Sequence, residues 1–329
     1  MAKLASDPGY SAGTAHGRTA KIIIDTDPGQ DDAVAILLAL ASPEALQVLG
    51  VTVVAGNVPL SLTVRNALNI VGLTGRRDVP VFAGCDRPLS REGVTAEEVH
   101  GATGLDGIDL GEPDLTVNSQ HGVDFIIETL RREESGTVTL CTLGPLTNIA
   151  TAFSRAPDII ARVRRIVLMG GALFEGGNIT PAAEFNIYVD PEAADIVFRS
   201  GVDLVVLPLD VTHKALTSRA WVNGLRALGT RAGDAVAAWT DFFERYDTAK
   251  YGTEGAPLHD PCVIAFMLRP ELFAGRFINV AIETKSELTL GMTVADWWGV
   301  TKRAPNALFI GSVDRDGFYA LLTERIARL

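Results

Sequence analysis

The feature that most constrains the fold of this chain is a regular alternation of short apolar runs with longer helical patterns. Six runs are rich in β-branched residues and close on Gly, Pro or Asp, which is typical of strands buried on both faces. The runs cover 21–25, 48–56, 79–84, 137–144, 165–171 and 203–210. Helical patterns cover 32–41, 60–74, 120–134, 145–155 and 191–200. This alternation predicts an α/β fold, with an open, mostly parallel sheet and helices on both faces.

The last third of the chain, from about residue 215, has a different and more helical pattern. Its predicted helices are 218–228, 233–249, 260–268 and a terminal helix over 316–328, with two possible strands at 277–283 and 306–311. We expect a helical cap here. Because no linker or repeat interrupts the chain, we predict one domain over 20–329. Residues 1–19 are rich in Gly, Ala and Ser and lack the apolar segment of a signal peptide, so we expect a flexible extension.

Composition excludes several classes of partner. The net charge is −11, from 29 basic and 40 acidic residues, which argues against nucleic-acid or membrane-surface binding. No apolar run approaches the ~20 residues that span a bilayer. The three cysteines, Cys85, Cys141 and Cys262, have no metal-binding or disulfide spacing. We therefore expect a cytoplasmic protein whose cysteines are small buried hydrophobes.

Polar side chains gather where the predicted strands end. These residues are Asp25, Asp27, Asn57, Thr142, Leu143 (through its main chain), Asn178, Glu184, Asn186 and Asp210. In open α/β sheets, ligands bind at the carboxyl ends of the strands. The sequence therefore predicts a binding site at this edge.

The segment 25–32, DTDPGQDD, places four carboxylates within eight residues, between a strand and a helix. Charges this close repel, and some carboxylates would bind protons unless a cation joined them. All nearby ligand atoms are oxygen, which favours Ca²⁺ or Mg²⁺ over zinc or copper. The loop is not an EF-hand, because Ile36 stands at the twelfth position, where that loop needs Glu.

The segment permits two other interpretations. Acidic residues at a helix N-terminus cap it and interact with its dipole, but this explains only one or two of the four carboxylates. Asp-x-Asp after a first strand also occurs in phosphatases of the haloacid dehalogenase type, which use an aspartyl nucleophile. Gly29 stands where that motif has Thr or Val, and Asp31 and Asp32 are unexpected there.

Read whole, the segment DTDPGQDDAVAILLAL resembles the N-terminal signature of the inosine–uridine nucleoside hydrolase family. Further segments resemble the family's motifs in the family's order: VAGNVPL (54–60), HGATGLDG (100–107), GPLTNIA (144–150), AEFNIYVDPEAA (183–194) and HDPCVIA (259–265). The resemblance extends over about 21–329. It implies hydrolysis of the N-glycosidic bond of a ribonucleoside to a free base and ribose, and it implies a homodimer or homotetramer.

The resemblance also implies a metal site. Asp27, Asp32 and Asp260 match the carboxylates that bind Ca²⁺, and Leu143 stands where the family supplies a main-chain carbonyl. Asp27 further resembles the general base that takes a proton from the metal-bound water. In this chemistry the metal lowers the pKa of water, and carboxylates favour the cationic, oxocarbenium-like ribosyl transition state.

The remaining matched residues are implied to bind the nucleoside. Asp31, Asn57, Asn186 and Asp260 resemble ligands of the ribose 2′- and 3′-hydroxyls, and Asn178 and Glu184 resemble ligands of the 5′-hydroxyl. His259 is implied to assist departure of the base as a catalytic residue, although it could merely cap the helix that begins near Pro261. His100 is expected to be a polar lid residue that contacts substrate.

Several points stay open from the sequence. A non-catalytic nucleoside binder with the same fold is a third hypothesis, although it would not need to retain the water-activating carboxylate. The base preference and oligomer size are undetermined. The aromatic residues Phe243, Tyr246, Tyr251, Trp297 and Trp298 could stack on a base or belong to the core. His16, His121 and His213 lack motif support and are expected at the surface or in structural positions.

Overall fold

A computed structural model describes residues 19–252 and 255–329, without the side chains of residues 247 and 251. The extension predicted over 1–19 lies outside the described residues except for Thr19. The strands are β1 (Ala20–Thr26), β2 (Leu46–Val53), β3 (Val81–Ala83), β4 (Val138–Thr142), β5 (Val163–Met169), β6 (Leu204–Leu207), β7 (Phe273–Ile278), β8 (Val280–Ile282), β9 (Thr293–Ala295) and β10 (Ala307–Val313).

The helices alternate with the strands through the first two thirds of the chain and dominate afterwards. They are α1 (Gln30–Leu40), α2 (Leu60–Leu73), α3 (Glu97–His100), α4 (Gly122–Arg132), α5 (Thr147–Arg155), α6 (Phe185–Val189), α7 (Pro191–Phe198), α8 (Leu209–Thr212), α9 (Arg219–Ala227), α10 (Arg231–Tyr251), α11 (Pro261–Leu268) and α12 (Arg315–Ile326). No helix in the described part of the chain is long and apolar enough to cross a membrane.

Eight strands form one sheet in the order β3-β2-β1-β4-β5-β6-β10-β7. All neighbours are parallel except β7, which runs antiparallel to β10. The prediction of an open, mostly parallel sheet is therefore confirmed. The single strand predicted over 277–283 is wrong, because the chain leaves the main sheet after Ile278 and continues in the separate β8–β9 pair. Its turning point is held by Asn306, whose side chain accepts a hydrogen bond from the Val280 amide.

Apolar side chains cover both faces of the sheet, as the strand pattern requires. In β1, Ile22 and Ile24 join one core cluster, whereas Ile23 joins the other, because successive strand side chains point to opposite faces. Helix α1 is buried along its entire length and packs against α2, α10 and α11. After a polar first turn, α1 is therefore apolar around its whole circumference, and the hydrogen bond from the Thr26 hydroxyl to Asp32 fixes that first turn at the end of β1.

The C-terminal third supplies the predicted helical cap, in which α10 packs on α9, α1 and α3. Three helices of four or five residues, α3, α6 and α8, escaped the sequence analysis because a single turn shows no apolar periodicity. As a result, Asn186 lies in α6 and not in a loop, and Asp210 lies in α8 and not at the end of a strand.

Candidate active site

A cavity of about 350 Å³ opens at the carboxyl ends of the central strands. It is lined by all eleven residues that the sequence analysis proposed as catalytic, metal-binding or substrate-binding: Asp27, Asp31, Asp32, Asn57, His100, Leu143, Asn178, Glu184, Asn186, His259 and Asp260. Asp25, Thr142 and Asp210, which were also expected at this edge, do not line it. They come from both ends of the chain, so the fold brings together segments more than 200 residues apart.

One side of the cavity, which we term the acidic floor, consists of Asp27, Asp31, Asp32 and Asp260. The carboxylates of Asp31, Asp32 and Asp260 each offer an oxygen, and these oxygens lie within 4.8 Å of one another. Asp31 and Asp32 occupy the first turn of α1, and Asp260 precedes α11. Two helix N-termini therefore face this cluster, and their partial positive charge partly compensates the carboxylates.

Asp27 lies beside that trio and is closely surrounded by backbone. Its Oδ2 accepts a hydrogen bond of 2.8 Å from the Asn57 amide. A Cβ atom at Gly56 or at Gly144 would collide with the Asp27 carboxylate. The segments 54–60 and 144–150 therefore need glycine at these positions so that their backbone can approach Asp27 closely. Among the described residues, the group of carboxylates close enough to share an ion contains Asp31 in place of the expected Asp27.

Burial and mutual repulsion raise the pKa values of the whole floor. Burial is the largest cause at each residue, followed at Asp27, Asp31 and Asp260 by the charge of a neighbouring aspartate. The pKa of Asp31 rises to about 7, and those of Asp27 and Asp260 rise well above their usual range. A divalent cation would relieve this repulsion, and the all-oxygen donor set suits a hard cation such as Ca²⁺ or Mg²⁺.

Asp25, the first carboxylate of the acidic segment, does not belong to the floor. It lies behind the cavity, where its Oδ1 accepts hydrogen bonds from the Thr52 hydroxyl and from Asn148 Nδ2 at 2.8 Å. Burial raises the pKa of Asp25 to about 7. Asp25 is therefore outside the cavity, and the carboxylates of 25–32 that lie close enough to share an ion with Asp260 are those of Asp31 and Asp32.

The polar residues around the floor are fixed by the backbone. Asn57 Nδ2 donates to the Asp27 carbonyl at 3.0 Å, and Asn186 Nδ2 donates to the Leu143 carbonyl at 2.6 Å. Glu184 caps α6 by accepting from the amides of Asn186 and Ile187, and it also accepts from Gly171. These bonds pre-organise the lining.

A second group of lining residues, which we term the histidine wall, consists of His100, His213, Phe243 and His259. Thr212 Oγ1 lies 2.7 Å from His259 Nδ1, and Gln30 Oε1 lies 2.7 Å from His100 Nδ1. Burial lowers the pKa of His100 to about 4 and that of His259 well below its usual range. The rings of His100 and His259 flank Phe243, at centroid distances of 5.6 and 6.4 Å.

His213, expected at the surface or in a structural position, is instead a lining residue 5.7 Å from the His259 ring. Phe243, Tyr246 and Lys250 also line the cavity. Their spacing of three and four residues places them on one face of α10, a signal that the sequence contained but that core packing would also produce. Trp297 and Trp298 are not among the lining residues. The Tyr251 side chain is outside the described residues.

Comparison with known proteins agrees with this geometry. The family model described as inosine-uridine preferring nucleoside hydrolase matches residues 22–320. A Schizosaccharomyces pombe protein with no stated activity is 55% identical over 94% of this chain and 99% of its own. The pyrimidine-specific ribonucleoside hydrolase RihA of Salmonella agona is 49% identical over 93% of this chain and 97% of its own.

A solved structure is also similar over nearly its full length. The purine-preferring ribonucleoside hydrolase from Gardnerella vaginalis superposes with a TM-score of 0.87 at 34% identity, covering 93% of this chain and 98% of the other. The similarity to these hydrolases disfavours the phosphatase interpretation of Asp25 and Asp27. With the family's motifs converging on one cavity, this chain belongs to the inosine-uridine preferring nucleoside hydrolase family and is a ribonucleoside N-glycosyl hydrolase.

Proposed function

We propose that the enzyme hydrolyses ribonucleosides with water activated at a Ca²⁺ site in the acidic floor, with Asp27 as the general base. The observation that carries this proposal is that a buried, repulsive carboxylate cluster and the histidine wall line the same cavity. The floor is suited to the ribosyl cation, and the wall is suited to the leaving base. A protein that only binds nucleosides would not require separate groups for the ribosyl cation and the leaving base.

The residues that would hold the cation are Asp27, Asp32 and Asp260 with the Leu143 carbonyl. Asp31 is a further candidate, because its carboxylate belongs to the compact trio. When bound, the cation lowers the pKa of water and orients it.

The protein's own groups perform the remaining work. Asp27 accepts the proton of the attacking water, and the floor's negative charge stabilises positive charge at C1′. Asp31, Asn57, Asn186 and Asp260 bind the 2′- and 3′-hydroxyls, and Asn178 and Glu184 bind the 5′-hydroxyl. His259 contacts the leaving base, and His100 closes that side of the cavity. The C1′–N bond breaks with its electron pair moving to the base.

For the substrate, we propose a preference for pyrimidine ribonucleosides, with uridine as the first candidate. The support is similarity: the hydrolase named pyrimidine-specific is 49% identical, whereas the one named purine-preferring is 34% identical. We further propose a cytoplasmic homodimer or homotetramer with one domain over 20–329. The three cysteines are free thiols, consistent with a reducing compartment, and light scattering measures the subunit number.

The decisive experiment incubates protein purified without added metal with uridine, cytidine, inosine and p-nitrophenyl phosphate. We expect free ribose from the nucleosides, fastest with a pyrimidine, and no release from the phosphate ester. Elemental analysis should find Ca²⁺, and prolonged chelation should abolish turnover until Ca²⁺ is restored. Stoichiometric zinc without calcium, or full activity after complete metal removal, would contradict the metal assignment.

A further inference from the structure

Thr212, which the proposed chemistry does not use, contacts the histidine wall from outside the cavity. It ends α8 and is fully buried. Its Oγ1 lies 2.7 Å from His259 Nδ1. Helix α8 is itself anchored, because the Asp210 carboxylate accepts hydrogen bonds of 2.7 Å from the amides of Leu173 and Phe174. The hydroxyl is therefore presented to the imidazole from a fixed support.

The direction of this hydrogen bond follows from what else each atom can reach. Within the described part of the chain, His259 Nδ1 is the one hydrogen-bond partner of Thr212 Oγ1. A buried hydroxyl hydrogen without an acceptor is unfavourable. If Nδ1–H donated to the hydroxyl oxygen, the hydroxyl hydrogen would be left in that state. Donation from Thr212 to Nδ1 satisfies both groups, so Nδ1 is the acceptor.

An imidazolium has an N–H on both nitrogens, so a ring whose Nδ1 accepts a hydrogen bond is the neutral form and carries its single proton on the other nitrogen. With Nδ1 accepting, the proton resides on Nε2. No hydrogen bond to Nε2 occurs within 19–252 and 255–329, and His259 lines the cavity. The packing of His213 and Phe243 against the same ring limits its rotation. The wall thus offers an N–H donor to a ligand.

We propose that Thr212 is a positioning residue that fixes His259 as its Nε2-protonated tautomer, so that a neutral imidazole donates a hydrogen bond to the departing base. This inference rests on the proposed function. The reaction needs no proton from His259. Water adds to C1′, its proton goes to Asp27, and the electron pair of the C1′–N bond goes to the base, which leaves as an anion. The Nε2–H group stabilises the negative charge that develops there.

The test compares Thr212→Val, which has nearly the same shape but no hydroxyl, with Thr212→Ser, which retains it. The substrates are uridine and p-nitrophenyl riboside, whose leaving group departs without a hydrogen bond. For Thr212→Val we expect kcat with uridine to fall roughly 10- to 100-fold at little-changed KM. Turnover of the aryl riboside should stay within about twofold, and Thr212→Ser should stay within about threefold of the parent on both substrates. Equal losses on both substrates would assign Thr212 a merely structural role.

A spectroscopic measurement tests the tautomer without relying on turnover. In protein with ¹⁵N-labelled histidine, long-range ¹H–¹⁵N correlations distinguish Nε2–H from Nδ1–H rings, and the His259 signals are assigned from their loss in His259→Gln. We expect Nε2–H in the parent and in Thr212→Ser, and a shift toward Nδ1–H in Thr212→Val. An Nδ1–H ring in the parent would overturn the inference. An Nε2–H ring in a protein that releases no ribose would instead reject the proposed function and leave the Thr212 assignment standing.

Discussion

The acidic floor and the histidine wall line one cavity but are built in different ways. Three floor residues, Asp27, Asp31 and Asp32, lie within six positions of one another at the end of β1 and the start of α1. The wall is assembled from α3, the residue that follows α8, α10 and the segment before α11. In the floor, burial and mutual repulsion raise the pKa values of the carboxylates, whereas in the wall burial lowers the pKa values of His100 and His259.

We propose that this difference separates two tasks. Every ribonucleoside carries the same sugar, so the part that handles the ribosyl cation can be a short, rigid motif clasped by Gly56 and Gly144. Nucleobases differ in size and polarity, and the part facing them draws on α10, whose Tyr246 is half-buried and whose Lys250 is exposed. We expect substitutions in the floor to affect all substrates alike and substitutions in the wall to affect them according to the base.

The largest expected effect comes from a substrate that lacks one of the ribose hydroxyls. Four floor and lining residues are proposed to bind the 2′- and 3′-hydroxyls, and a site built for a hydroxyl rejects its absence by up to ~10⁴–10⁵-fold. We therefore expect kcat/KM for 2′-deoxyuridine to be about 10⁴-fold below that for uridine, although deoxyribosyl bonds are intrinsically easier to break. Equal rates on both nucleosides would remove the hydroxyl-binding roles.

Next in size is loss of the general base. Asp27→Asn retains the shape and one ligand oxygen but cannot accept a proton, so we expect turnover of every nucleoside to fall by about 10²–10⁴-fold. Asp109→Asn, at an exposed position outside the cavity, serves as the control and should match the parent. Circular dichroism checks folding. An Asp27→Asn enzyme within threefold of the parent would exclude Asp27 as the base.

Removal of the wall's donor should depend on the leaving group. For His259→Ala we expect about 10²-fold slower hydrolysis of uridine but nearly unchanged hydrolysis of p-nitrophenyl riboside. His121→Ala is a matched control, because His121 caps α4 through its ring nitrogen and does not line the cavity. If His259→Ala impairs both substrates equally, the residue orders the neighbouring Asp260 and does not assist the base.

The smallest expected effect is on how the stability of the protein depends on pH, which tests the histidine wall separately from the acidic floor. His100 has a folded pKa of about 4 because of burial, against 6.5 for an exposed histidine. The unfolded chain therefore binds the extra proton first, and this residue lowers stability as the pH falls from 6.5 towards 4. In His100→Asn, we expect the loss of unfolding free energy between pH 7.5 and 5 to be smaller than in the parent by about 2 kcal/mol. Urea titrations at each pH measure the difference, and parallel curves would show that His100 does not titrate in this way.

Much of the fold and the floor could be predicted because the relevant information is local. Each strand ends where its apolar run ends in the sequence, and in a parallel sheet these ends lie at the same edge. The eleven matched residues accordingly line one cavity. The error on Asp25 has a simple origin: Asp25 belongs to β1 itself and faces Thr52 and Asn148 in the core, whereas Asp27 follows the strand.

The sequence by itself therefore determined the alternating architecture, the edge that binds the ligand and the carboxylate-rich motif, since each depends on residues adjacent along the chain. Only the tertiary structure decided that Asp31 joins Asp32 and Asp260 in the compact trio, that His213 and one face of α10 line the cavity, and that Thr212 contacts His259. These outcomes depend on how helices separated by tens of residues pack together. The sequence pattern of a helix does not distinguish an apolar or aromatic side chain that faces the core from one that faces a ligand.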